Sequence, residues 1–378
     1  MTQALTAEAF ERIAEQSLAI TLGAQEVVEE ISHAVGPVLD GEAADLLRQL
    51  QSQPVLDVRT PGEFAHAHAP DALNLPLLSD DERSAVGTTY KQVGRSEAIA
   101  LGWSMVQPRL AALVAQANAL VPARAAVVHC ARGGLRSRSV AWLLRHAGWQ
   151  VSTVPGGYKT IRRHVLATPK RIYTLRILSG HTGSGKTELL HKLAHRGEQV
   201  LDLERMANHK GSAFGALGEA VQPSNEHFEN EIAFALQRCD ATRPIWVEDE
   251  SLRIGNCAVP AEFWQQMRTA TVVRLDIPAA TRLPFLVDAY GRYPVADLQA
   301  AIVRVTKRLG GLRVKQANAL LDAGDLTSAA AIMLDYYDQS YSHSLAQRVN
   351  GEVINVHAAK PDAVANADAV LATLHRNV

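Results

Sequence analysis

The chain has 378 residues, of which 47% are hydrophobic and 20% are charged, and its formal net charge is -1. This composition is typical of a folded globular protein and excludes a low-complexity chain, while the length is sufficient for two or three domains. The three cysteines, Cys130, Cys239 and Cys257, have neither the spacing of metal ligands nor that of a disulfide framework. Few cysteines without a disulfide pattern are typical of proteins in a reducing compartment, and we therefore expect a cytoplasmic protein.

Two kinds of targeting segment are not expected. The N-terminal residues include Glu8, Glu11 and Glu15, whereas a secretion signal is basic and then apolar. No uncharged apolar run approaches the ~20 residues that a membrane-spanning helix needs. We therefore predict no secretion signal and no membrane partner.

The small net charge hides an uneven distribution. The first fifty residues hold nine acidic residues against Arg12 and Arg48, whereas no Asp or Glu occurs from Ala98 to Thr187. That second window contains thirteen Lys and Arg residues. A positive field of this kind favours a polyanionic partner such as nucleic acid. The alternative is that these side chains serve small-anion loops or solvated helix faces.

Residues 1–39 combine helical apolar spacing with acids, which predicts an acidic helical N-terminal extension. After it, strands and helices alternate, and this order predicts a parallel sheet with helices on both faces and ligands at the carboxyl ends of its strands. The predicted elements are a helix at 43–50, strands at 55–58 and 72–75, a strand at 126–129, a helix at 137–146 and a strand at 151–154.

The strand at 126–129 leads into a loop suited to bind an anion. Cys130 comes first, followed by Arg132, the pair Gly133 and Gly134, and Arg136. Backbone N–H groups of a tight glycine loop, the positive end of the following helix and two guanidinium groups together favour a thiolate at Cys130. A buried structural cysteine is the alternative, but it leaves the glycines and arginines unexplained.

The segments LDVRTPGEF, HAPDALNLP and HCARGGLRS together resemble a rhodanese domain, over residues 40–168. The resemblance implies that the loop cysteine carries a sulfane sulfur or a selenium atom. However, Cys130 and Arg136 also form Cys-x5-Arg, the loop of cysteine phosphatases, in which the thiolate attacks phosphorus. Both chemistries need a thiolate in an anion-binding loop. The glycine pair and the first strand favour transfer of sulfur or selenium.

A second motif follows closely. A predicted strand at 172–179 leads into GHTGSGKT, which fits the P-loop pattern G-x4-G-K-[ST], and a helical run comes next. In this context the backbone N–H groups wrap a diphosphate, the lysine reaches its outer charges and the threonine can hold Mg²⁺. The predicted diphosphate-binding residues are Gly180, Gly183, Ser184, Gly185, Lys186 and Thr187.

A P-loop usually has an acidic partner at the end of another buried strand. Glu248 and Asp249 follow the apolar run at 245–247, so we predict that one of them lies near Mg²⁺ with Thr187. An acidic surface turn is the alternative. The polar loop at 209–215 is a weaker candidate for a substrate loop.

The remaining chain completes the predicted second domain at 169–378. It contains a strand at 271–275 and helical runs at 294–309, 314–323 and 326–338. The sequence thus predicts an α/β protein: a rhodanese-like parallel-sheet domain at 40–168, followed by a P-loop NTPase-like α/β domain with a helical C-terminal region. Tyr336, Tyr337 and Tyr341 either pack or stack on bases, and packing is favoured.

The two motifs together resemble the tRNA 2-selenouridine synthase family. The likeness also rests on LNLPLLSDDERSAVGTTYKQVG, PGGYKTIRR, LDLERMANHKGSAFG, VEDES and YYDQSY. It implies replacement of sulfur by selenium in 2-thiouridine at the tRNA wobble position. The acidic extension departs from the family pattern, and no role is transferred to it.

The resemblance further implies two stages. Geranyl diphosphate first alkylates the thiouridine sulfur, and selenium from selenophosphate then displaces the thioether. We hypothesise that the P-loop holds geranyl diphosphate with Mg²⁺, because no base-recognition motif lies beside it. Cys130 would handle selenium, with Arg132 and Arg136 binding selenophosphate, and an enzyme that makes selenophosphate is a possible partner. The tRNA contacts would come from Arg138, Lys159, Arg162, Arg163, Lys170 and Arg171.

Three rival functions remain open from the residues. One is a P-loop-containing rhodanese-type sulfurtransferase that acts on a small molecule. Another is a tRNA-binding module without catalysis, against which the intact Cys130, Lys186 and Thr187 argue. The third is a cysteine phosphatase fused to an NTPase. The acid-free basic segment favours the tRNA enzyme over the first and the third, and the sequence gives no indication of the oligomeric state.

Overall fold

The computed structural model describes Ile31, residues 36–346 and residues 352–376. The chain divides into two compact units, residues 1–167 and residues 168–378. Of the acidic helical extension predicted at residues 1–39, residues 1–30 and 32–35 lie outside the described residues.

The first unit alternates strands with helices, as predicted. Its elements are α1 (Leu46–Gln51), β1 (Val55–Asp57), α2 (Pro61–His66), β2 (Leu73–Asn74), α3 (Asp80–Gln92), α4 (Arg95–Val106), α5 (Leu110–Leu120), β3 (Ala125–His129), α6 (Leu135–His146), β4 (Gln150–Thr153) and α7 (Tyr158–Ala167).

The strands of this unit form a parallel sheet. Among the described residues the strand order is β2-β1-β3-β4, and Asp57 pairs with His129 in the β1–β3 register. The middle strands are buried on both faces, which explains why Val127 and Val128 are fully buried although they point to opposite sides. The register places the carboxyl ends of β1 and β3 side by side.

The helix after the cysteine loop begins earlier than predicted. It starts at Leu135 with Gly134 as its N-cap, instead of at Ser137. Arg136, which was predicted as part of the loop, therefore lies in the first turn of α6. Helix boundaries depend on the backbone conformation at the cap, which residue types only partly determine.

Helices α4 and α5 run almost continuously and are rich in apolar residues. By length and composition alone, Arg95–Leu120 is the one described helical stretch that would suffice to cross a membrane. Its Val106, Leu110, Val114 and Ala117 are nevertheless buried in the core of the first unit. An apolar helix face that is buried in a core in this way is typical of a globular domain.

The second unit contains a larger sheet and more helices. Its elements are β5 (Leu175–Gly180), α8 (Lys186–His195), β6 (Gln199–Leu201), α9 (Leu203–Ala207), α10 (Asn225–Arg238), β7 (Ile245–Glu248), β8 (Arg253–Ile254), β9 (Cys257–Ala258), α11 (Ala261–Thr269), β10 (Thr271–Asp276), α12 (Ala279–Tyr290), α13 (Val295–Arg304), α14 (Thr306–Leu309), α15 (Gly311–Asp322), α16 (Leu326–Ala346), β11 (Val353–His357) and α17 (Ala363–Arg376).

The P-loop strand lies at the centre of this sheet. Within the described ranges the parallel order is β11-β10-β5-β7-β6. Alternate residues of β5 enter different cores, with Ile177 on one face and Leu178 on the other. The chain leaves β5 for β6 at one side and later returns to β10 at the other, so the carboxyl end of β5 lies at a topological switch point, where ligands bind in open α/β sheets.

Helices α12 to α16 pack on one another rather than on the sheet. Leu298, Ile302, Val314, Leu321 and Met333 form a separate apolar core there. The predicted α/β class, with a helical part in the C-terminal region, is confirmed.

Candidate functional sites

The cysteine loop is held in shape by the turn that precedes α7. The carbonyl oxygen of Cys130 accepts a hydrogen bond from the Tyr158 N–H at 2.8 Å, and that of Ala131 accepts one from Lys159 at 3.0 Å. The loop backbone therefore has partners outside the ligand cleft, and its conformation is set before any ligand arrives.

Glycines are required where this turn meets the loop. Gly157 has φ +60°, and a Cβ there would lie 2.2 Å from the Cys130 carbonyl oxygen. Gly133 has φ +63°, and its Cβ would lie 2.7 Å from the Gly156 nitrogen. Both the positive φ and the contact with backbone exclude other residues at these positions.

The Cys130 thiol is buried and has a hydroxyl neighbour. Its Sγ lies 3.2 Å from Ser137 Oγ, and the same hydroxyl is 3.2 Å from the Gly134 carbonyl oxygen. The single hydroxyl hydrogen of Ser137 can be given to the carbonyl when Cys130 is a thiol and to sulfur when Cys130 is a thiolate. Ser137 is thus positioned to stabilise negative charge on sulfur.

Arg136 faces the cleft from α6 and is paired with Glu63. Its Nη1 lies 2.6 Å from Glu63 Oε2, and Glu63 also completes the capping box of α2 with Thr60. Partial burial raises the pKa of Glu63, but hydrogen bonds from Arg136 and the Thr60 backbone, with the Arg136 and Arg59 charges, lower it overall. An anionic ligand would therefore meet an arginine whose orientation a carboxylate already fixes.

The cleft over Cys130 also contains basic side chains that sequence reasoning missed. Arg83 and Lys91 of α3 line it together with Arg132 and Arg136. The two α3 residues belong to a segment recognised only through its family likeness, and nothing local marks them as ligands. Four basic groups around a thiol give this cleft a positive field that favours an anionic ligand.

A buried ion pair supports the floor of the loop. Asp57 and Arg59, both buried, pair at 2.6 Å, and Arg59 also donates to the Ala67 carbonyl oxygen and stacks on the Tyr158 ring. His129 Nε2 lies 3.8 Å from the Asp57 carboxylate, and burial lowers the pKa of His129. The charged end of the predicted first strand thus ties β1 to the neighbouring strand and to α7.

In the second unit, GHTGSGKT forms a strand–loop–helix turn, as predicted. Gly183 and Gly185 have positive φ, and Gly185 caps α8. The Lys186 ammonium donates to the Gly180 carbonyl oxygen at 2.7 Å, across the concave side of the loop. Ser184 is buried with its hydroxyl unpaired. The loop offers backbone N–H groups and a lysine to a phosphate group.

The threonine of the P-loop contacts an acid that was not predicted. Thr187 Oγ1 donates to Glu204 Oε2 at 3.0 Å. Of the predicted acids, Glu248 accepts from the Leu203 N–H at 3.1 Å, and Asp249 accepts from Ser179 Oγ. Glu204 belongs to LDLERMANHKGSAFG, a segment cited above only for its family likeness, because a contact with a residue 17 positions away leaves no local signal.

Three glutamates crowd this side of the cleft. Burial, together with the Asp202 and Glu204 charges, raises the pKa of Glu248 well above its usual range, and burial with Glu204 does the same for Glu250. Burial also raises the pKa of Glu204, which exchanges a hydrogen bond with Glu250. The three carboxyl groups therefore titrate as one interacting cluster rather than independently.

The donor set is compatible with Mg²⁺ bound mainly by a substrate. Among the described residues no three His, Cys, Asp or Glu side chains converge as a metal cage does. Mg²⁺ commonly takes one or two carboxylates, water and substrate phosphates, and Thr187 with the adjoining Glu204 provides oxygen donors of that kind.

Arg282 fixes the far side of the P-loop. It is almost fully buried, donates to the Thr182 carbonyl oxygen at 2.9 Å and pairs through two nitrogens with Asp338 at 2.9 and 2.6 Å. This links α12 and α16 to the loop. No local pattern indicates this pair, because its members are 56 residues apart in the chain.

The cleft beside the P-loop combines acids, bases and aromatic rings. The loop residues Lys210, Gly211 and Ser212 line it, in the segment predicted as a weak substrate-loop candidate. Further basic and aromatic lining residues are Trp264, Arg268, Phe285, Arg292, Tyr293, Arg308 and Tyr341. Tyr336 and Tyr337 pack edge to face, and Tyr337 accepts from the Ala213 N–H, so both have structural roles.

Comparison with known proteins matches a family model to each of the two units. The model of the tRNA 2-selenouridine synthase AAA domain matches residues 173–368, and the model of the rhodanese-like domain matches residues 41–164. The tRNA 2-selenouridine synthase of Shewanella frigidimarina is 36% identical over 339 residues, 79% of this chain and 90% of that protein. The chain belongs to the tRNA 2-selenouridine synthase family. The proteins of that name from Pseudomonas putida and Chromohalobacter salexigens are 36% and 38% identical, each over 79% of this chain and 90% of the relative.

In this member of the tRNA 2-selenouridine synthase family, an apolar pocket adjoins the P-loop cleft. The pocket and the cleft share Thr182, Ser212, Leu286, Tyr290 and Tyr337. The inner wall is formed by Phe214 and by side chains of α13, α15 and α16, namely Leu298, Ile302, Leu321, Leu326, Ala329, Ala330, Met333 and Leu334. A ligand with an anionic head and a hydrocarbon tail matches this arrangement.

The cysteine cleft of this family member has an apolar neighbour as well. A pocket between α3, α4, α5 and α6 shares Leu78, Val86, Tyr90, Leu135 and Arg136 with the cleft that contains Cys130. Its wall includes Ile99, Trp103, Val106, Leu110, Leu113, Val140, Trp142 and Leu143. The cysteine loop and the P-loop, both predicted to bind anions, thus each lie beside a pocket lined by apolar side chains within the same unit.

The residues predicted to contact tRNA are mostly exposed. Arg138, Lys159 and Arg171 are exposed, and Arg162 is half-buried. Arg163 pairs with Glu42 at 2.6 Å, and Lys170 lies 3.7 Å from Glu262. Two of these cations are therefore already partly neutralised by the chain's own acids, and the predicted tRNA role of all six remains a prediction.

Proposed function

We propose that this chain is a tRNA 2-selenouridine synthase that converts 2-thiouridine at the tRNA wobble position into 2-selenouridine in two stages. Its family membership supports tRNA as the substrate. The observation that carries the two-stage scheme is the apolar pocket beside each anion-binding loop. A geranyl group takes part in both stages, first on diphosphate and then on the tRNA base.

The first stage belongs to the P-loop cleft. The thiouridine sulfur bonds to the first carbon of geranyl diphosphate, and the carbon–oxygen bond breaks with its electron pair on the diphosphate. Lys186 and the N–H groups around Gly183 and Gly185 stabilise the departing charge. Thr187 and Glu204 would hold Mg²⁺, which would add positive charge there. Glu248 and Asp249 would lie near this ion.

The apolar pocket explains why the ligand would be a prenyl diphosphate rather than a nucleotide. Each methylene transferred from water to such a site contributes about 0.8 kcal/mol. Leu286 and Tyr290 lie at the junction between cleft and pocket, where the tail would leave the diphosphate. A ribose and base would place polar groups among the same apolar side chains, which is unfavourable.

The second stage belongs to the cysteine cleft. Arg132 and Arg136 bind selenophosphate beside Cys130, and selenium replaces the geranylthio group at C2 of the base. Alkylation has by then turned a poor leaving group into a thiolate that can depart. The apolar pocket that shares Leu135 and Arg136 with this cleft receives the geranyl tail.

A stage-resolved assay tests the function. Purified protein is incubated with 2-thiouridine tRNA and geranyl diphosphate, then with selenophosphate, and the nucleosides are identified by mass spectrometry. Lys186→Ala should lower S-geranylation by about 100-fold or more, as loss of a charge-stabilising donor does. Cys130→Ser should accumulate geranylated tRNA without 2-selenouridine.

Matched variants control for folding. Lys192→Ala changes another lysine of α8, and Cys239→Ser changes a cysteine remote in sequence from the loop; both should retain both stages. Equal loss of both products in Cys130→Ser would contradict the division of labour. ATP turnover coupled one-to-one to modification would contradict the prenyl diphosphate site, and sulfur transfer from thiosulfate with unchanged tRNA would favour a small-molecule sulfurtransferase.

A further inference from the structure

The cysteine loop has the residues of a phosphoryl-binding loop. Five residues separate Cys130 from Arg136, and Ser137 follows directly. Cys130 directly follows β3 at the floor of the cleft, and Arg136 reaches the same cleft from the first turn of α6. In this spacing an arginine can grip the oxygens of a tetrahedral phosphoryl group while the thiolate faces its phosphorus.

The hydroxyl next to sulfur suits a thiolate that must later depart from phosphorus. Ser137 Oγ lies 3.2 Å from Cys130 Sγ, and its other contact is a carbonyl oxygen that it can release. A hydrogen bond from this hydroxyl stabilises sulfur whenever sulfur carries negative charge. Simple storage of a neutral sulfur adduct does not need such a donor.

Electron counting separates attack on selenium from attack on phosphorus. Selenium in selenophosphate is fully reduced, as in hydrogen selenide. A sulfur–selenium bond on Cys130 would require removal of an electron pair by an oxidant, or departure of phosphorus as the reduced phosphite. Neither an oxidant nor phosphite formation belongs to the proposed reaction.

We propose that Cys130 attacks the phosphorus of selenophosphate, forming a phosphocysteine and releasing selenide within the cleft. This inference rests on the proposed function, from which selenophosphate is taken as the selenium donor. The Sγ–P bond forms as the P–Se bond breaks, and selenium leaves with the electron pair and takes up a proton from water.

The remaining steps also balance without a redox reagent. Hydrogen selenide ion attacks C2 of the S-geranylated base, and geranylthiolate departs with the carbon–sulfur electron pair and is protonated. Water then attacks phosphorus on Cys130, the P–S electron pair returns to sulfur, and inorganic phosphate leaves. Selenide is thus generated where it is consumed, beside the basic wall formed by Arg83, Lys91 and Arg132.

Parallel isotope labelling tests the inference with the full chain. Selenophosphate carrying radioactive phosphorus or radioactive selenium is mixed with the protein and S-geranylated tRNA, and the reaction is quenched rapidly. We expect phosphorus, and not selenium, to remain covalently bound to the wild-type protein and to the Cys239→Ser control. Cys130→Ser should retain neither label.

A second measurement covers an intermediate that hydrolyses too fast to trap. The reverse of the last step exchanges oxygen between inorganic phosphate and water, so oxygen-18-labelled phosphate should lose its label with the wild type and not with Cys130→Ser. Selenium bound to Cys130, or 2-selenouridine formed with neither bound phosphorus nor oxygen exchange, would overturn the inference. If the wild type forms no 2-selenouridine and leaves selenophosphate unchanged, the proposed function itself fails.

Discussion

Gly157 shows how one atom decides the shape of the cysteine loop. Gly157→Ala combines a positive φ with a Cβ placed 2.2 Å from the Cys130 carbonyl oxygen, whereas Gly148→Ala has φ +80° with nothing within 4 Å. We expect Gly148→Ala to lower the free energy of unfolding by about 1 kcal/mol. Gly157→Ala should lower it by more and also abolish the second stage.

Urea unfolding and the stage-resolved assay measure both effects. Equal unfolding midpoints and equal selenation for the two variants would show that the close approach of Gly157 to the loop is unimportant.

Arg282 provides a second prediction at the scale of single residues. Arg282→Met removes the guanidinium group that pairs with Asp338 and donates to the Thr182 carbonyl oxygen. Loss of one member of a buried pair costs about 3–5 kcal/mol, and Asp338 is partly exposed, so we expect the lower end of that range. The affinity for geranyl diphosphate should fall as well.

The exposed pair Arg313–Asp335 is the matched control, with a separation of 2.6 Å and side chains 35% and 55% exposed. Arg313→Met should cost at most about 1 kcal/mol. Similar losses for both arginines, measured by urea unfolding, would argue against a special role for Arg282.

Glu248 makes stability depend on pH. Burial and neighbouring acids raise its native-state pKa above the usual 4.5, so the native state holds a proton that the unfolded state has released. The free energy of unfolding should therefore fall as the pH rises from about 4.5 through the native pKa.

Glu248→Gln removes this dependence. Without Mg²⁺, the variant should be more stable than the wild type near neutral pH, by about 1.4 kcal/mol for each pKa unit of the shift, with no such gain in acid. Glu262→Gln, which changes a half-exposed acid, is the control. A gain independent of pH in urea unfolding would contradict the explanation.

At the scale of elements, α3 carries one wall of the cysteine cleft and depends on its N-terminal cap. Ser79 accepts from the Glu82 N–H, and Glu82 accepts from the Ser79 N–H. Glu82 also pairs with Arg109 at 2.6 Å, which ties α3 to the start of α5.

Ser79→Ala should lower the free energy of unfolding by about 1 kcal/mol. Ser104→Ala changes a serine inside α4 whose hydroxyl bonds only locally to the Leu101 carbonyl oxygen, and it should be nearly neutral. Thermal unfolding followed by circular dichroism compares the two, and equal melting temperatures would show that the cap contributes little.

At the scale of the whole molecule, the charge distribution predicts how tRNA binding depends on salt. Each phosphate contact contributes about one unit to the slope of log affinity against log salt. Arg138 is exposed, whereas Arg163 is paired with Glu42. Arg138→Ala should lower the slope by about one, and Arg163→Ala by less.

Filter binding at several salt concentrations measures these slopes. Unchanged slopes in both variants would remove the predicted tRNA contacts from this part of the surface.

Much of both sites was predictable because it depends on contiguous residues. A strand, a glycine loop and a helix follow one another around Cys130 and around Lys186, and apolar runs identify the buried strands before them. Local backbone preferences and apolar periodicity act over a few residues and are therefore legible in one chain. The start of α6 was two residues off, because a cap depends on backbone geometry.

The tertiary structure alone decided which distant residues complete the sites. It brought Glu63 to Arg136 across 73 residues, Glu204 to Thr187 across 17, and Asp338 to Arg282 across 56. It also formed the apolar pockets, whose walls come from several helices. Sheet order and helix packing determine such contacts, and a single sequence records the apolar faces that pack but not the partner that each face finds.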